Sequence, residues 1–465
     1  MEDRADDAAL AHYLRGEQQL HAGEMQAAEQ AFRQAIGLDE QFAEAHGNLG
    51  YVLDQIGAHA EAEGHYRLAL ELAPNHATVH LNLGALLVQK KRHAEAEACY
   101  AAALALEPAS SAVWSNLGAL NLNLRQEETA ETCLRHAIAL DPLNTRARFN
   151  LAYLKLRQRN FEEGWALFEA RDWYRAMEKQ LAFPRWQGES LAGRSLLVTY
   201  EAGHGDMIQF CRYIPLLKKL GAVHITMLCH TALKRLLSGL EGLDSVCGLD
   251  EALPTSHFDC WTPLMSAPHY VGTRPDTVPA QLPYLRVDPA LHLPWASQLP
   301  RERAFRVGVA WKGNPQFEND KDRSLPHLQT LAPLWTVPNL HFFSLQKGAG
   351  EEEIAPCGAQ QPLTELGSQM QDFADTAAIM AELDLVIAVD TAIAHLAAAL
   401  GKPCWLLLPW YMTDWRWGAE GTNSIWYPGA MRLFRQGSDA DWGPVIAEVA
   451  VALMERITPL RTSSD

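Results

Sequence analysis

A step of 34 residues, repeated through the first third of the chain, narrows its possible folds more than any other feature. Asn48-Leu49-Gly50, Asn82-Leu83-Gly84, Asn116-Leu117-Gly118 and Asn150-Leu151-Ala152 are spaced by that step. So are Gly16, Gly50, Gly84 and Gly118; Ala28, Ala62, Ala96 and Ala130; and Ala35, Ala69, Ala103 and Ala137. Phe32, Tyr66, Tyr100 and Leu134 share one large position, and Pro74, Pro108 and Pro142 close successive units. A fixed period of this length marks a solenoid, whose units bury their apolar faces only against their neighbours. Small residues then let paired helices approach, the large residue is expected to fill the gap between units, and proline stops the second helix.

The pattern resembles the tetratricopeptide repeat. Four repeats run from about Ala9 to Asn144. A degenerate fifth pair, Thr145 to about Met177, lacks the alanines and carries Trp165, Phe168 and Trp173, which are expected to cap the stack against the next domain. The solenoid is assigned to residues 9–178. Such stacks form a concave groove, usually for a peptide. Asn48, Asn82, Asn116 and Asn150 permit two readings there. They bond locally, or they form a ladder of amides gripping the backbone of an extended acceptor peptide, each bond adding about 0.5–1.5 kcal/mol net. The second arrangement resembles the asparagine ladder of the eukaryotic O-GlcNAc transferases.

After PRWQGESLAG the pattern becomes α/β. Ser195–Tyr200 reads as a strand, followed by the loop Glu201–Asp206 and a helix from about Met207 to Leu220. His224–Leu228, Asp244–Leu249 and Phe258–Leu264 continue the strands, with Thr231–Leu237 as a helix. Pro279 to Pro300 read as a remaining strand edge plus a linker. This first α/β domain is assigned to residues 183–300 and a second to 301–465. In the second, Arg306–Trp311, His341–Gln346, Leu385–Val389 and Cys404–Leu408 are strands, and Ala392–Leu400 is a helix entered by the Asp390-Thr391 turn. Continuous apolar runs alternating with helices imply parallel sheets covered on both faces. The segments Trp410–Trp417 and Ser424–Gln436 are expected to cover the cleft between the halves, and a final amphipathic helix to start near Pro444. The fold class is α + α/β: a helical solenoid followed by two Rossmann-like domains.

Ligands in such sheets sit beyond the carboxyl ends of the strands. The helix N-terminus at Ala392 is a natural seat for phosphate. Lys312, Asn314, Arg323 and Ser324 follow one strand, and Gln346 and Lys347 lie at the tip of another. Cations and small donors at one sheet edge suit a diphosphate, although a solvated charge run is the alternative for the first group. His395 lies one turn into the Ala392 helix and is read either as part of the site or as a core residue. Asp206 is read as a proton acceptor or as a helix cap, and His204 as its assistant or as a plain loop residue. A formal net charge of −17 argues against nucleic acid or an anionic membrane as the main partner. The 8 cysteines form no C-x-x-C pair, so neither a zinc ribbon nor a disulfide framework is expected. The acidic start MEDRADDAAL is not a signal peptide, and no apolar run can span a bilayer, so a cytoplasmic chain is expected.

The motifs HGDMIQFCRY, AWKGNP…DRSLP, SLQKG, DFADTAAI and VDTAIAHLAAALGKP, in that order, resemble those of bacterial tetratricopeptide-repeat glycosyltransferases related to family 9, the heptosyltransferases. The resemblance implies the two-domain GT-B fold and a general base at Asp206. It also implies donor-diphosphate binding by Asp390, Thr391, Ala392 and His395, and basic contacts from Lys312 and Arg323. Ala202 departs from the glutamine of the usual EQGxGD loop, and Lys312 stands where many relatives have a small residue. The expected reaction is inverting, metal-independent sugar transfer from a nucleotide-sugar co-substrate, with no resident cofactor, to a hydroxyl of a protein acceptor in the repeat groove. Flagellin or another surface protein is the acceptor class the resemblance suggests. A lipid-linked or polysaccharide acceptor, or a non-catalytic adaptor, are the alternatives.

Overall fold

The computed structural model describes residues 2–253, 257–299, 304–357 and 362–457. By internal contacts the chain divides into two units, Met1–Leu151 and Ala152–Asp465. No helix among the described residues is long and apolar enough to cross a membrane.

The first unit is built from helix pairs. Met25–Leu38, His59–Leu72, His93–Leu106 and Glu127–Leu140 alternate with Ala43–Gln55, Ala77–Gln89, Ser111–Asn123 and Thr145–Arg157, the last running on into the second unit. The second helices end at Leu72, Leu106 and Leu140, two residues before the prolines. A methyl added at Gly16, Gly50, Gly84 or Gly118 would come within 2.6, 2.8, 2.5 and 2.6 Å of Phe32, Tyr66, Tyr100 and Leu134 respectively. The large residue therefore packs against the glycine of the partner helix in its own unit, within a core that continues from one unit to the next. Tyr66 and Tyr100 are fully buried and share one continuous core with Leu49, Leu83 and Leu86.

The second unit holds two parallel sheets. Strands β1 (Ser195–Thr199), β2 (His224–Cys229), β3 (Ser245–Gly248) and β4 (Cys260–Pro263) form the first, in the order β3-β2-β1-β4. Strands β5 (Phe305–Ala310), β6 (Leu340–Ser344), β7 (Leu363–Glu365), β8 (Leu385–Val389), β9 (Cys404–Leu408) and β10 (Met431–Arg435) form the second, in the order β10-β9-β8-β5-β6-β7. Every pairing between these strands is parallel. β8 and β9 are buried along their whole length, as their continuous apolar sequence requires.

Several elements differ from the sequence expectation. The helix after β1 starts at His204 and breaks into His204–Phe210, a turn at Cys211–Tyr213, and Ile214–Lys219, with Pro215 in the first turn of the last piece. Residues 289–298 form the helix Pro289–Gln298 rather than a strand edge, because Asp288 caps it by accepting from Ala290 N at 2.8 Å and proline is tolerated in a first turn. Pro300, the boundary expected at 300/301 and the end of the chain beyond residue 457 lie outside the described residues. Part of Ser424–Gln436 is β10, an edge strand, rather than a cover alone. From Ala152 onward the fifth helix pair groups with the α/β unit. Trp165 packs edge-on against Trp415, Trp426 and Phe210 at 5.3, 6.4 and 6.3 Å, burying three large rings that the alanine-poor repeat could not cover alone.

Candidate functional site

Both sheets reverse their strand order at one point. In the first, β1 has β2 on one side and β4 on the other; in the second, β5 lies between β6 and β8. Ligand crevices of open α/β sheets open at such reversals, beyond the carboxyl ends of the strands. Here those ends carry the loop Glu201–Asp206, the loop from Trp311 to Ser324, and the Asp390-Thr391 turn.

After β1 the chain turns through Ala202, whose φ of +56° is left-handed, and enters the helix His204–Phe210 with Gly203 as its cap. Asp206 sits in the first turn, and its Oδ2 accepts from Gly203 N at 2.9 Å. Its other oxygen, Oδ1, accepts from Arg416. Capping and a second interaction thus coexist on one carboxylate. His204 stacks near His230 and Phe373, with ring centres at 4.5 and 5.2 Å. Burial, followed by the His230 charge, lowers its pKa to about 4, so it is neutral at pH 7.

At the second reversal, Thr391 caps the helix Ala392–Ala399 in extended backbone, and its Oγ1 is buried without a hydrogen-bond partner. The small side chains of this helix let it lie against the His204–Phe210 helix. A methyl at Gly205 would come within 3.0 Å of His395 Cδ2 and 3.5 Å of Ala392 N. A side chain at this position would press on the neighbouring helix, and the first-sheet loop therefore lies against the helix N-terminus on one side. Asp390 Oδ2 accepts from Trp417 Nε1 at 2.8 Å, and its backbone carbonyl accepts from Arg323 at 3.1 Å. Burial, then the neighbouring Asp414 charge, raises the Asp390 pKa to about 6. His395 Nδ1 bonds the Tyr427 hydroxyl at 2.8 Å. Burial, then Arg416, holds it well below the usual histidine range, and thus neutral.

The loop after β5 is tied by its own side chains. Ser324 Oγ accepts from Gly313 N at 2.8 Å and donates to Asp320 at 2.9 Å; Arg323 pairs with Asp320 at 3.2 Å and stacks over Phe317. Asn314 Oδ1 accepts from Gln316 N. Lys312 Nζ donates to Pro326 O at 2.7 Å and pairs with Glu353 at 3.1 Å. Gln346 and Lys347, expected to face the donor from their strand tip, have internal partners. The Gln346 amide bonds the backbone of Trp311, Lys312 and Ala349, while Lys347 donates to Gly367 O and Met370 O. They brace the tips of β5 and β6.

The sequence did not single out Asp414, Arg416 and Trp417. Arg416 is buried and donates to Gln209, Asp414 and Asp206. With Trp417 on Asp390, two consecutive residues join the two reversals. An arginine and an aspartate inside the aromatic run WYMTDWRW were the available signal, since charge within a packed segment needs a partner.

In the repeat unit the four asparagines are all half-buried. Asn48 donates to the Tyr13 hydroxyl at 3.2 Å, so local bonding engages this one.

Comparison with known proteins fits this geometry. Tetratricopeptide-repeat patterns match residues 13–77, 57–120 and 111–142. The glycosyltransferase family 9 (heptosyltransferase) pattern matches residues 339–406, a stretch containing Asp390, Thr391, Ala392 and His395. Protein FlbA of Caulobacter vibrioides is 27% identical over 328 residues, covering 63% of this chain and 52% of that protein. The chain thus spans about half the length of that curated relative. Among solved structures, pilF of Pseudomonas aeruginosa is 26% identical with a TM-score of 0.33, covering 36% of this chain and 77% of that one. A thermophilic tetratricopeptide-repeat protein of Thermus thermophilus is 20% identical with a TM-score of 0.32, covering 37% and 91%. At these scores the likeness bears on neither site nor mechanism. The chain thus joins tetratricopeptide-repeat patterns to an α/β unit that matches the glycosyltransferase family 9 (heptosyltransferase) pattern over residues 339–406.

Proposed function

We propose that the α/β unit transfers a sugar from a nucleotide-sugar donor to a hydroxyl of a protein acceptor recruited by the repeats, with inversion and without a metal. The observation that carries this reading is the joining of the two strand-order reversals. Asp206 from the first and the Asp390-Thr391 helix entry from the second meet through Arg416 and Trp417. Asp206 removes the acceptor proton as the anomeric bond breaks, and the electron pair of that bond leaves with the nucleoside diphosphate. The unpartnered Thr391 hydroxyl, the first amides of the Ala392–Ala399 helix and Arg323 receive the diphosphate, a geometry in which charge is stabilised where it develops.

Replacement of Asp206 by Asn is expected not to weaken donor binding and to slow transfer by roughly 10²–10⁴-fold, the usual contribution of a positioned base. Undiminished transfer would remove Asp206 from the mechanism. Intact-mass analysis of candidate proteins co-expressed with the chain is expected to show a sugar-sized increment; modification confined to a glycan or lipid would contradict the protein acceptor.

A further inference from the structure

We propose that Arg416 exchanges partners during the reaction, from the Asp206 carboxylate to the departing diphosphate. The inference rests on the reading of Asp206 as base and of the Asp390-Thr391 turn as the donor seat. Four observations carry it. The Arg416 side chain is 7% exposed, so its charge must be matched by nearby anions. Those anions are Asp414, at 2.9 Å and only two residues away, and Asp206, which belongs to the other sheet. The next residue, Trp417, is bonded to Asp390, directly before the proposed diphosphate seat. The Arg416 charge also acts on both His395 and Asp390, so it lies within electrostatic range of that seat.

The charge balance of the reaction then assigns the exchange. Before transfer, Asp206 is an anion paired with Arg416. As the acceptor O–H gives its proton to Asp206 and its oxygen bonds the anomeric carbon, the carbon–phosphate oxygen bond breaks. Asp206 becomes neutral at the moment the diphosphate gains a negative charge. A buried guanidinium that lost its partner without gaining another would be strongly disfavoured. The planar guanidinium can instead turn its freed N–H groups to phosphate oxygens, which it binds well, while Asp414 retains it. One cation thus holds the base before the step and the leaving group after it. It also follows that the resting protein and the donor compete for Arg416.

The test is a double-mutant cycle on nucleoside diphosphate binding, which needs no knowledge of the acceptor. ADP, GDP, UDP and CDP are titrated by calorimetry into the full-length wild type, Asp206→Asn, Arg416→Gln and the double variant. Arg416→Gln is expected to weaken the bound diphosphate about tenfold or more, as loss of a charge-assisted bond implies. Asp206→Asn is expected to tighten it severalfold by freeing Arg416, and that gain is expected to vanish in the double variant. The single variants therefore move in opposite directions and are coupled. Arg416→Lys, which keeps the charge, replaces Arg416→Gln should the latter fail to fold, and is expected to weaken binding less. A gain from Asp206→Asn that persists without Arg416 would reflect bulk charge and overturn the exchange. So would diphosphate binding indifferent to either substitution. Failure of the wild type to bind any of the four would instead overturn the donor-seat reading, and this inference with it.

Discussion

Asp390 is a carboxylate that the fold resists ionising. Burial and the Asp414 charge raise its pKa from 3.8 to about 6. For an acid raised in the folded state, the penalty is absent below the unfolded pKa, grows from pH 3.8 to about 6, and is fully present above. Two pKa units correspond to about 3 kcal/mol, so Asp390→Asn is expected to stabilise the chain at about pH 7.5 by up to that order. The gain should fade on acidification below about pH 4; urea unfolding at both pH values measures it, and a destabilised variant at the higher pH would contradict the assignment. The placement of Asp206, Asp390, Thr391 and His395 just beyond strand ends was legible in the sequence, because their motifs follow continuous apolar runs. Arg416 and Trp417 were not, because a tryptophan-rich run reads equally well as packing, and their partners lie far away in the chain. The internal partners of Gln346 and Lys347 were equally hidden. A polar tip residue looks the same in sequence whether it faces a ligand or its own backbone.

At the scale of the element, the repeats were the most legible part, since a 34-residue step fixes helix positions before any contact is known. The step did not say where the large residue points. That depends on which neighbour offers a glycine, and Gly84 offers it within the unit. Gly84→Ala places a methyl 2.5 Å from the Tyr100 ring and is expected to destabilise by roughly 1–3 kcal/mol, as overpacking does. Gly64→Ala, inside the helix His59–Leu72 with nothing within 4 Å of the added methyl, is expected to stabilise by roughly 0.5–1 kcal/mol through helix propensity. Chemical denaturation of both variants compares them; equal signs would contradict the packing described. Strands β7 and β10 escaped the sequence because β7 has three residues and β10 carries Arg432 and Arg435 on half-covered positions. Edge strands lack the continuous apolar signal of β8 and β9.

At the scale of the molecule, composition, the repeat step and the alternation of strands with helices sufficed for the architecture: a helical solenoid followed by two parallel sheets. The sequence could not supply the long-range pairing that joins the sheets, in which Gly205 meets Ala392 and Arg416 reaches Asp206. The central claim is that the entry of the Ala392–Ala399 helix seats a nucleoside diphosphate. It is tested most directly by thermal unfolding of the full chain with saturating ADP, GDP, UDP or CDP, for the wild type and for Ala392→Asp. A ligand bound only by the folded state at about 100 times its Kd adds about 2.7 kcal/mol. The account predicts that at least one diphosphate raises the unfolding temperature of the wild type, and that a carboxylate placed at the helix entry abolishes the shift. A shift of the same size in Ala392→Asp, or none in the wild type, would contradict it.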